Sequence, residues 1–267
     1  MSDASSWPSS RSKETDALLK TRHHNAGSSK THTHGSEGIA LMRRYDIDLV
    51  LDVGANCGQY SQGLIHHGYV GRIISFEPDP KTYATLSETR RGFRNWKAEP
   101  FALSDKNGTA ILSVAANGRS HSLQNHGEDA ATVASESDGG AEVWVGRVSV
   151  RTRRLDAMFD DYYTSGDRCF VKLDVQGHEH RVLAGSSGCL ERIVAIQMPL
   201  SISPAASSRR AKGENPHEWQ ESIESMSRLG YELMLPSPTW SEVTPSSGQA
   251  DAIFVRREAI SRRKAAA

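Results

Sequence analysis

The residues that most restrict what this chain can become are Ile47-Asp48-Leu49-Val50-Leu51-Asp52-Val53, a nearly continuous apolar run that ends at an acid and passes at once into the loop GANCGQY. A run with no polar face suits a strand covered on both sides. Tyr60, Leu64 and Ile65 then share one side of a helix that His66-His67-Gly68 closes. The pattern repeats: a second apolar run, 72–76, ends at Glu77, and a helix from Asp79 carries Tyr83 and Leu86 inward. Alternation of strand and helix with short connections predicts an α/β fold, a mostly parallel sheet with helices on both faces.

Further along, a third strand is expected over 96–101, a turn at 104–108, and an alternating stretch over 109–114. Residues 115–142 are rich in Gly, Ser, Asn and Asp and read as a long loop insertion. Alternation returns over 142–150, a short helix is expected over 155–159, and CFVKLD gives another buried strand within 168–174. Strand patterns at 194–198 and 231–235 flank a helix marked by Asn215-Pro216, with Trp219, Ile223, Met226 and Leu229 as its apolar stripe. A last strand lies at 252–255.

Residues 1–36 lack spaced apolar side chains and are expected to be a disordered N-terminal tail, in which His23, His24, His32 and His34 are solvated rather than metal-bound. The domain proper is then 37–257, followed by a basic, frayed tail over 258–267. A chain of 267 residues with 37% hydrophobic content can bury a core without staples, so its three cysteines are not a framework, and their odd number fits a reducing compartment. The 32 basic side chains balance 32 acidic ones, which argues against a nucleic-acid partner held by phosphate neutralisation. No apolar run reaches the roughly 18 residues of a transmembrane helix. The N-terminus has no apolar signal core, so the expected location is the cytoplasm. The basic C-terminal residues Arg256, Arg257, Arg262, Arg263 and Lys264 are a solvated end that can also draw the protein toward anionic lipid as a peripheral contact.

In an open parallel sheet, ligands bind beyond the carboxyl ends of the strands. Asp52, Glu77 and Asp174 close three strands there, and Gly54 and Gly58 bracket the first loop. Gly54 allows close backbone approach, Gly58 close helix packing, and amides at the helix start attract a carboxylate. Glu77 can accept hydrogen bonds from both hydroxyls of a ribose. Together these describe a nucleoside with an anionic arm. Asn56 stands where a dinucleotide loop needs its middle glycine, and the loop lacks the lysine of a phosphate-cradling P-loop. S-adenosylmethionine, whose ammonium Asp52 would accept, fits the spacing better than a nicotinamide dinucleotide, which stays open as the alternative.

The runs DVGANCGQYSQGL, ISFEPDP, FALSDKNG, VKLDVQGHEHRVLAG and DAIFVRR, in this order, resemble the FkbM family of S-adenosylmethionine-dependent methyltransferases over about residues 38–257. The resemblance implies a class I methyltransferase fold, Rossmann-like: a seven-stranded sheet, six strands parallel and the last antiparallel. It implies O-methylation of a hydroxyl on a sugar, glycolipid or secondary metabolite, so the partner is a small-molecule or glycan acceptor. It places cofactor contacts at Asp52, Gly54, Ala55, Asn56, Gly58, Tyr60, Glu77, Pro78, Ala102, Leu103, Ser122 and Asp174, with Ser120 beside them. Asp174, Gln176, Gly177 and Glu179 match the motif beside the donor methyl. Where the family reads Gln-x-Glu-x-Ser, this chain has Gln197-Met198-Pro199-Leu200-Ser201, and SPAASSRRAKGEN replaces the segment that follows. Those departures bear on substrate identity and motivate a second reading, a catalytically inactive cofactor-binding module.

A hydroxyl acceptor must lose a proton, and the catalytic candidates are His178, Asp174 and Glu179, with His178 favoured as base because its ordinary pKa suits the task. No metal is expected: His178 and His180 are two apart, and that spacing does not bring both imidazoles to one helix face. Cys57 reads as a small packing residue and Lys172 as a stem covering the sheet.

Overall fold

The computed structural model of the protein describes residues 32–115, 121–123, 135–137, 140–142, 144–201, 218–234 and 249–266. Strand β1 (Leu49–Val53) is buried at every position, Asp52 included. It is the middle of the main sheet, paired in parallel with β2 (Arg72–Phe76) on one side and β9 (Cys169–Leu173) on the other. Strands β3 (Trp96–Glu99), β10 (Ile193–Ser201), β11 (Tyr231–Met234) and β12 (Gln249–Arg256) complete the order β3-β2-β1-β9-β10-β12-β11. β12 runs antiparallel to both its neighbours and the other six are parallel, the sheet of a class I methyltransferase fold.

Alternate side chains of these strands feed two cores. Leu49, Leu51 and Val53 join Phe76, Phe101, Phe159, Val171 and Phe254 on one face. Val50 joins Ile73, Phe170, Ala195 and Val255 on the other, together with Leu64, Leu86 and Trp96. The second layer is built by α1 (His32–Arg44), α2 (Gln59–His66) and α3 (Pro80–Thr89). Parity therefore decides which layer each strand residue enters, and Asp52, two residues from Val50, turns toward α2.

A three-stranded sheet, β4 (Ala102–Leu103), β8 (Trp144–Arg153) and β5 (Gly108–Ala115), stands beside the carboxyl end of the main sheet. β5 pairs antiparallel with β8, and β4 joins β8 in parallel at Ala102 and Leu103. A bridge between Ser113 and Ser122 adds residues 121–123 to its rim.

α3 begins as its sequence predicts. Asp79 is the N-cap, its Oδ2 accepting from Thr82 N (2.8 Å) and Thr82 Oγ1 (2.9 Å), with Pro80 in the first turn. Asp79→Ala is expected to lower stability by about 1–2 kcal/mol in urea denaturation, and Asp79→Asn by much less, since asparagine caps nearly as well.

Several expected boundaries move. Helix α1 starts at His32, so residues 32–36 are helix rather than tail, while His23 and His24 lie outside the described residues. The third strand stops at Glu99, because Ala102 and Leu103 leave to pair with β8. Within the expected loop insertion, β6 (Ser135–Ser137) and β7 (Gly140–Glu142) pair with each other. The helix expected over 155–159 is a 3-10 turn at Phe159–Asp161. A second 3-10 turn, Leu190–Arg192, follows α4 (Glu179–Ala184). In α5 (Glu218–Arg228), Met226 is buried, but Trp219 and Leu229 remain 36% and 39% exposed and do not complete the stripe. Arg257–Ala266, expected as a frayed end, is helix α6, continuous with β12. Among the described residues no helix is long and apolar enough to cross a membrane.

Candidate functional site

The order of the sheet reverses at β1, whose chain continues to β2 on one side while β9 lies on the other, and ligands bind where such reversal opens a crevice. An open cleft of about 610 Å³, including its solvent-filled mouth, lies there. Val53, Gly54, Asn56, Phe76, Glu77, Pro78, Ala102, Leu103, Leu112, His121, Leu123, Asp174, Val175 and Gln176 line it. Of the residues expected from sequence, Gly54, Asn56, Glu77, Pro78, Ala102, Leu103, Asp174 and Gln176 meet on its wall.

Glu77 is 4% exposed, and its carboxylate ties the cleft together: Oε2 accepts from Asn56 N (2.9 Å) and Oε1 from Asp79 N (2.9 Å). Burial pushes its pKa up to about 7, against the two amides that favour the anion. Each oxygen keeps a lone pair for an incoming hydroxyl. The same cleft is lined by apolar Ala102, Leu103, Leu112, Leu123 and Val175, the character of a base-binding wall.

Asp174, at the end of β9, is the exposed acid of the cleft, with its side chain 46% accessible. Gln176 Nε2 donates to Oδ1 (3.1 Å) and Lys172 Nζ to Oδ2 (3.0 Å). Gln176 adopts φ +52° and Gly177 φ +92°, a reversal that Glu179 braces by accepting from Val175 N (3.3 Å) and Gly177 N (3.2 Å).

Other expectations are corrected by where the side chains lie. Asp52 is fully buried and does not line the cleft; Ser61 Oγ donates to its Oδ2 at 2.7 Å and Ser75 Oγ at 3.4 Å. The loop amides before α2 are bonded within the loop and to its neighbours: Gly54 N and Ala55 N donate to Phe76 O, Asn56 N to Glu77, Cys57 N to Asn56 Oδ1 and Gly58 N to Ala55 O. Ala55 packs in the second core. Gly58 (φ +89°) has the expected packing role, since a Cβ there would lie 2.8 Å from Leu86 and Trp96. Tyr60 stands beside the cleft, its hydroxyl donating to Gln197 Oε1 (3.0 Å). Ser122 lies behind the wall, its hydroxyl donating to Gln176 O (3.1 Å), and Ser120 lies outside the described residues.

His178 is not placed to be a base. It is 7% exposed, off the cleft wall, with Nε2 2.9 Å from Ser104 Oγ. Burial, reinforced by Arg181, pushes its pKa down to about 4, so it is a neutral strut that ties the start of α4 to β4. Glu179, braced inward on the loop, is likewise a support. Asp174 alone of the three catalytic candidates faces the cleft.

Sequence reasoning missed Leu112, His121, Leu123 and Val175. The alternation over 109–114 carried a signal for Leu112, buried at 2%, but nothing local indicated that the Ser113–Ser122 bridge would bring His121 and Leu123 to the same wall. Among the described residues no group of His, Cys, Asp and Glu is arranged to hold a metal ion. Because β12 is antiparallel, α6 leaves the sheet at the end opposite the cleft.

The family model described as "Methyltransferase FkbM domain" matches residues 52–233. No curated protein sequence matches the chain. Among solved structures, similarity extends to magnesium protoporphyrin IX methyltransferase from Synechocystis PCC 6803, solved with bound SAM, at 11% identity, covering 91% of each chain, with a TM-score of 0.43. It also extends to precorrin-6y C5,15-methyltransferase from Geobacter metallireducens at 13% identity, over 86% of this chain and 93% of that one, with a TM-score of 0.40. Aeropyrum pernix fibrillarin, solved with S-adenosyl-L-methionine, is similar at 12% identity, over 78% and 65%, with a TM-score of 0.41. At these values the likeness carries no information on substrate.

Proposed function

We propose, from the premise that this chain belongs to the FkbM methyltransferase family, that its cleft binds S-adenosylmethionine and passes the methyl group to a hydroxyl oxygen of a sugar, glycolipid or secondary metabolite in the cytoplasm. The observation that carries the reading is that Glu77 and the apolar side chains line one cleft. A carboxylate pinned by two amides presents lone pairs for vicinal hydroxyls, while Ala102, Leu103, Leu112 and Val175 offer a flat apolar surface to a base.

The cofactor, when bound, supplies a methyl group already activated on a sulfonium. What remains for the protein is to hold an acceptor oxygen in line, exclude water and take a proton. Gly54, Asn56 and Pro78 shape the near wall, and Glu77 and the apolar side chains orient the adenosyl group. Asp174, the cleft's exposed carboxylate, would receive the acceptor's proton, a role for which its exposure favours it over the buried His178. Pro199, which stands where the family has an acid, lies in β10 opposite Asp251 and does not line the cleft. It bears on which acceptor fits and not on donor binding.

Titration calorimetry with S-adenosylhomocysteine and with NAD tests the reading. Binding of the first and not the second is expected; the reverse sinks it. Labelled donor offered with hydroxyl-bearing acceptors then separates an enzyme from an inactive module. Donor binding should also follow pH. The ionised form of Glu77 takes the ribose hydroxyls, and its pKa of about 7 means that lowering the pH protonates it. Affinity for S-adenosylhomocysteine is therefore expected to fall by about tenfold between roughly pH 8 and pH 6, and a flat profile would remove Glu77 from ligand contact.

A further inference from the structure

On the face of the main sheet that packs against α2, the register sets four polar side chains side by side. Ser75 of β2 lies beside Asp52 of β1, Asp52 beside Lys172 of β9, and Lys172 beside Gln197 of β10. All are buried: Ser75 and Asp52 at 0% exposure, Lys172 at 8%, Gln197 at 7%. Two residues earlier the same strands place Ile73, Val50, Phe170 and Ala195, so the row interrupts an otherwise apolar layer. Buried ion pairs are no more stabilising than apolar side chains of the same volume, so stability does not account for the row.

Its geometry does point somewhere. The Lys172 ammonium lies 5.1 Å from the centre of the Tyr60 ring and donates to Asp174 Oδ2 at 3.0 Å, reaching out of the layer to the edge of the cleft. Tyr60 is held in turn by Gln197, whose Nε2 donates to Asp251 Oδ2 (3.0 Å). Behind the lysine, Asp52 Oδ1 is buried with no hydrogen-bond partner among the described residues, and Ser61 and Ser75 donate to its other oxygen; burial raises its pKa, against the pull of Lys172 and the two hydroxyls toward the anion. Burial would drive the lysine toward its neutral form, but Asp174, Asp52 and Asp251 outweigh it and keep the ammonium charged.

We propose that Lys172 is a positioning residue: its buried ammonium fixes the Asp174 carboxylate at the acceptor side of the cleft, with Asp52 as the counter-charge behind it. The proposal rests on the methyl-transfer reading of the cleft. It gives the acid of β1 a part in the site without contact with any ligand, acting through the lysine.

Lys172→Met leaves Asp52 buried without a counter-charge and is expected to fold poorly. The double variant Lys172→Met/Asp52→Asn removes both charges and is expected to recover wild-type stability. Crystal structures of the wild type and the double variant, each with S-adenosylhomocysteine, read the position directly. In the wild type the Asp174 carboxylate holds one rotamer on Lys172 Nζ; in the double variant it is expected to spread over several. With S-adenosylmethionine and an acceptor, kcat is expected to fall by about a hundredfold, the cost of a displaced reacting group, with KM for the donor unchanged. A double variant in which Asp174 keeps its place, or in which turnover returns along with stability, overturns the proposal. Failure of S-adenosylhomocysteine to bind the wild type overturns instead the reading of the cleft on which it rests.

Discussion

Gly54→Ala is expected to lower the stability of the protein by about 3–5 kcal/mol, combining the cost of a left-handed side-chain-bearing residue with that of forcing atoms into a filled space. Gly54 has φ +77°, and a Cβ on it would lie 2.1 Å from the carbonyl oxygen of Asp174 and 2.9 Å from its carbon. Neither backbone can retreat. Gly54 N is bonded to Phe76 O at 3.0 Å, and Asp174 N to Val53 O at 3.0 Å, so both ends belong to the central strands. The glycine is thus required by the approach of β9 to the end of β1, which is what closes the floor of the cleft. Gly63→Ala is the contrasting substitution. It lies within α2 with nothing inside 4 Å of the added carbon, and a gain of about 0.5–1 kcal/mol is expected from helix propensity. Urea midpoints of the two variants should move in opposite directions. Equal midpoints for Gly54→Ala and wild type would mean that the two strand ends are not packed as described.

Glu77→Ala is expected to weaken S-adenosylhomocysteine by about 1.5–3 kcal/mol, roughly 10- to 150-fold, the range for losing a hydrogen bond to a charged group. Glu77→Gln should not rescue it. The carboxylate accepts from two backbone amides through its two oxygens, so a carboxamide must aim its NH₂ at either Asn56 N or Asp79 N, donor against donor. The conservative variant therefore loosens either the first loop or the start of α3 as well as losing charge. Calorimetry on both variants checks this. Unaltered affinity in Glu77→Gln would place the ribose elsewhere.

Some of this was legible one residue at a time. The runs at β1, β2 and β9 read as buried strands because a strand covered on both faces is apolar at most positions, and that pattern is written in adjacent residues. The start of α3 at Asp79 was legible too, and the structure gives the reason: its side chain caps the helix within one turn. The motifs from the first loop to the terminal strand carried the family. Glu77, Pro78, Ala102 and Leu103 line the cleft because strand ends and the short connections after them have few places to go.

What the local sequence could not decide is where a side chain points when its strand is paired on both sides. Asp52 and Glu77 both follow apolar runs, yet Asp52 is the fourth residue of its strand and turns into the α2 layer, whereas Glu77 lies one position past the end of β2 and meets the cleft. His178 had the chemistry of a base, but Ser104, 74 residues away in the chain, holds it inside the protein. Lys172 read as a stem over the sheet, and only the register with Asp52 and Gln197 shows it charged, buried and aimed at Asp174. The sequence alone determined which elements form and which family they build, since those depend on periodicity and short-range capping. The tertiary structure decided which acids face ligand and which face protein, since that depends on strand parity, register and partners distant in the chain.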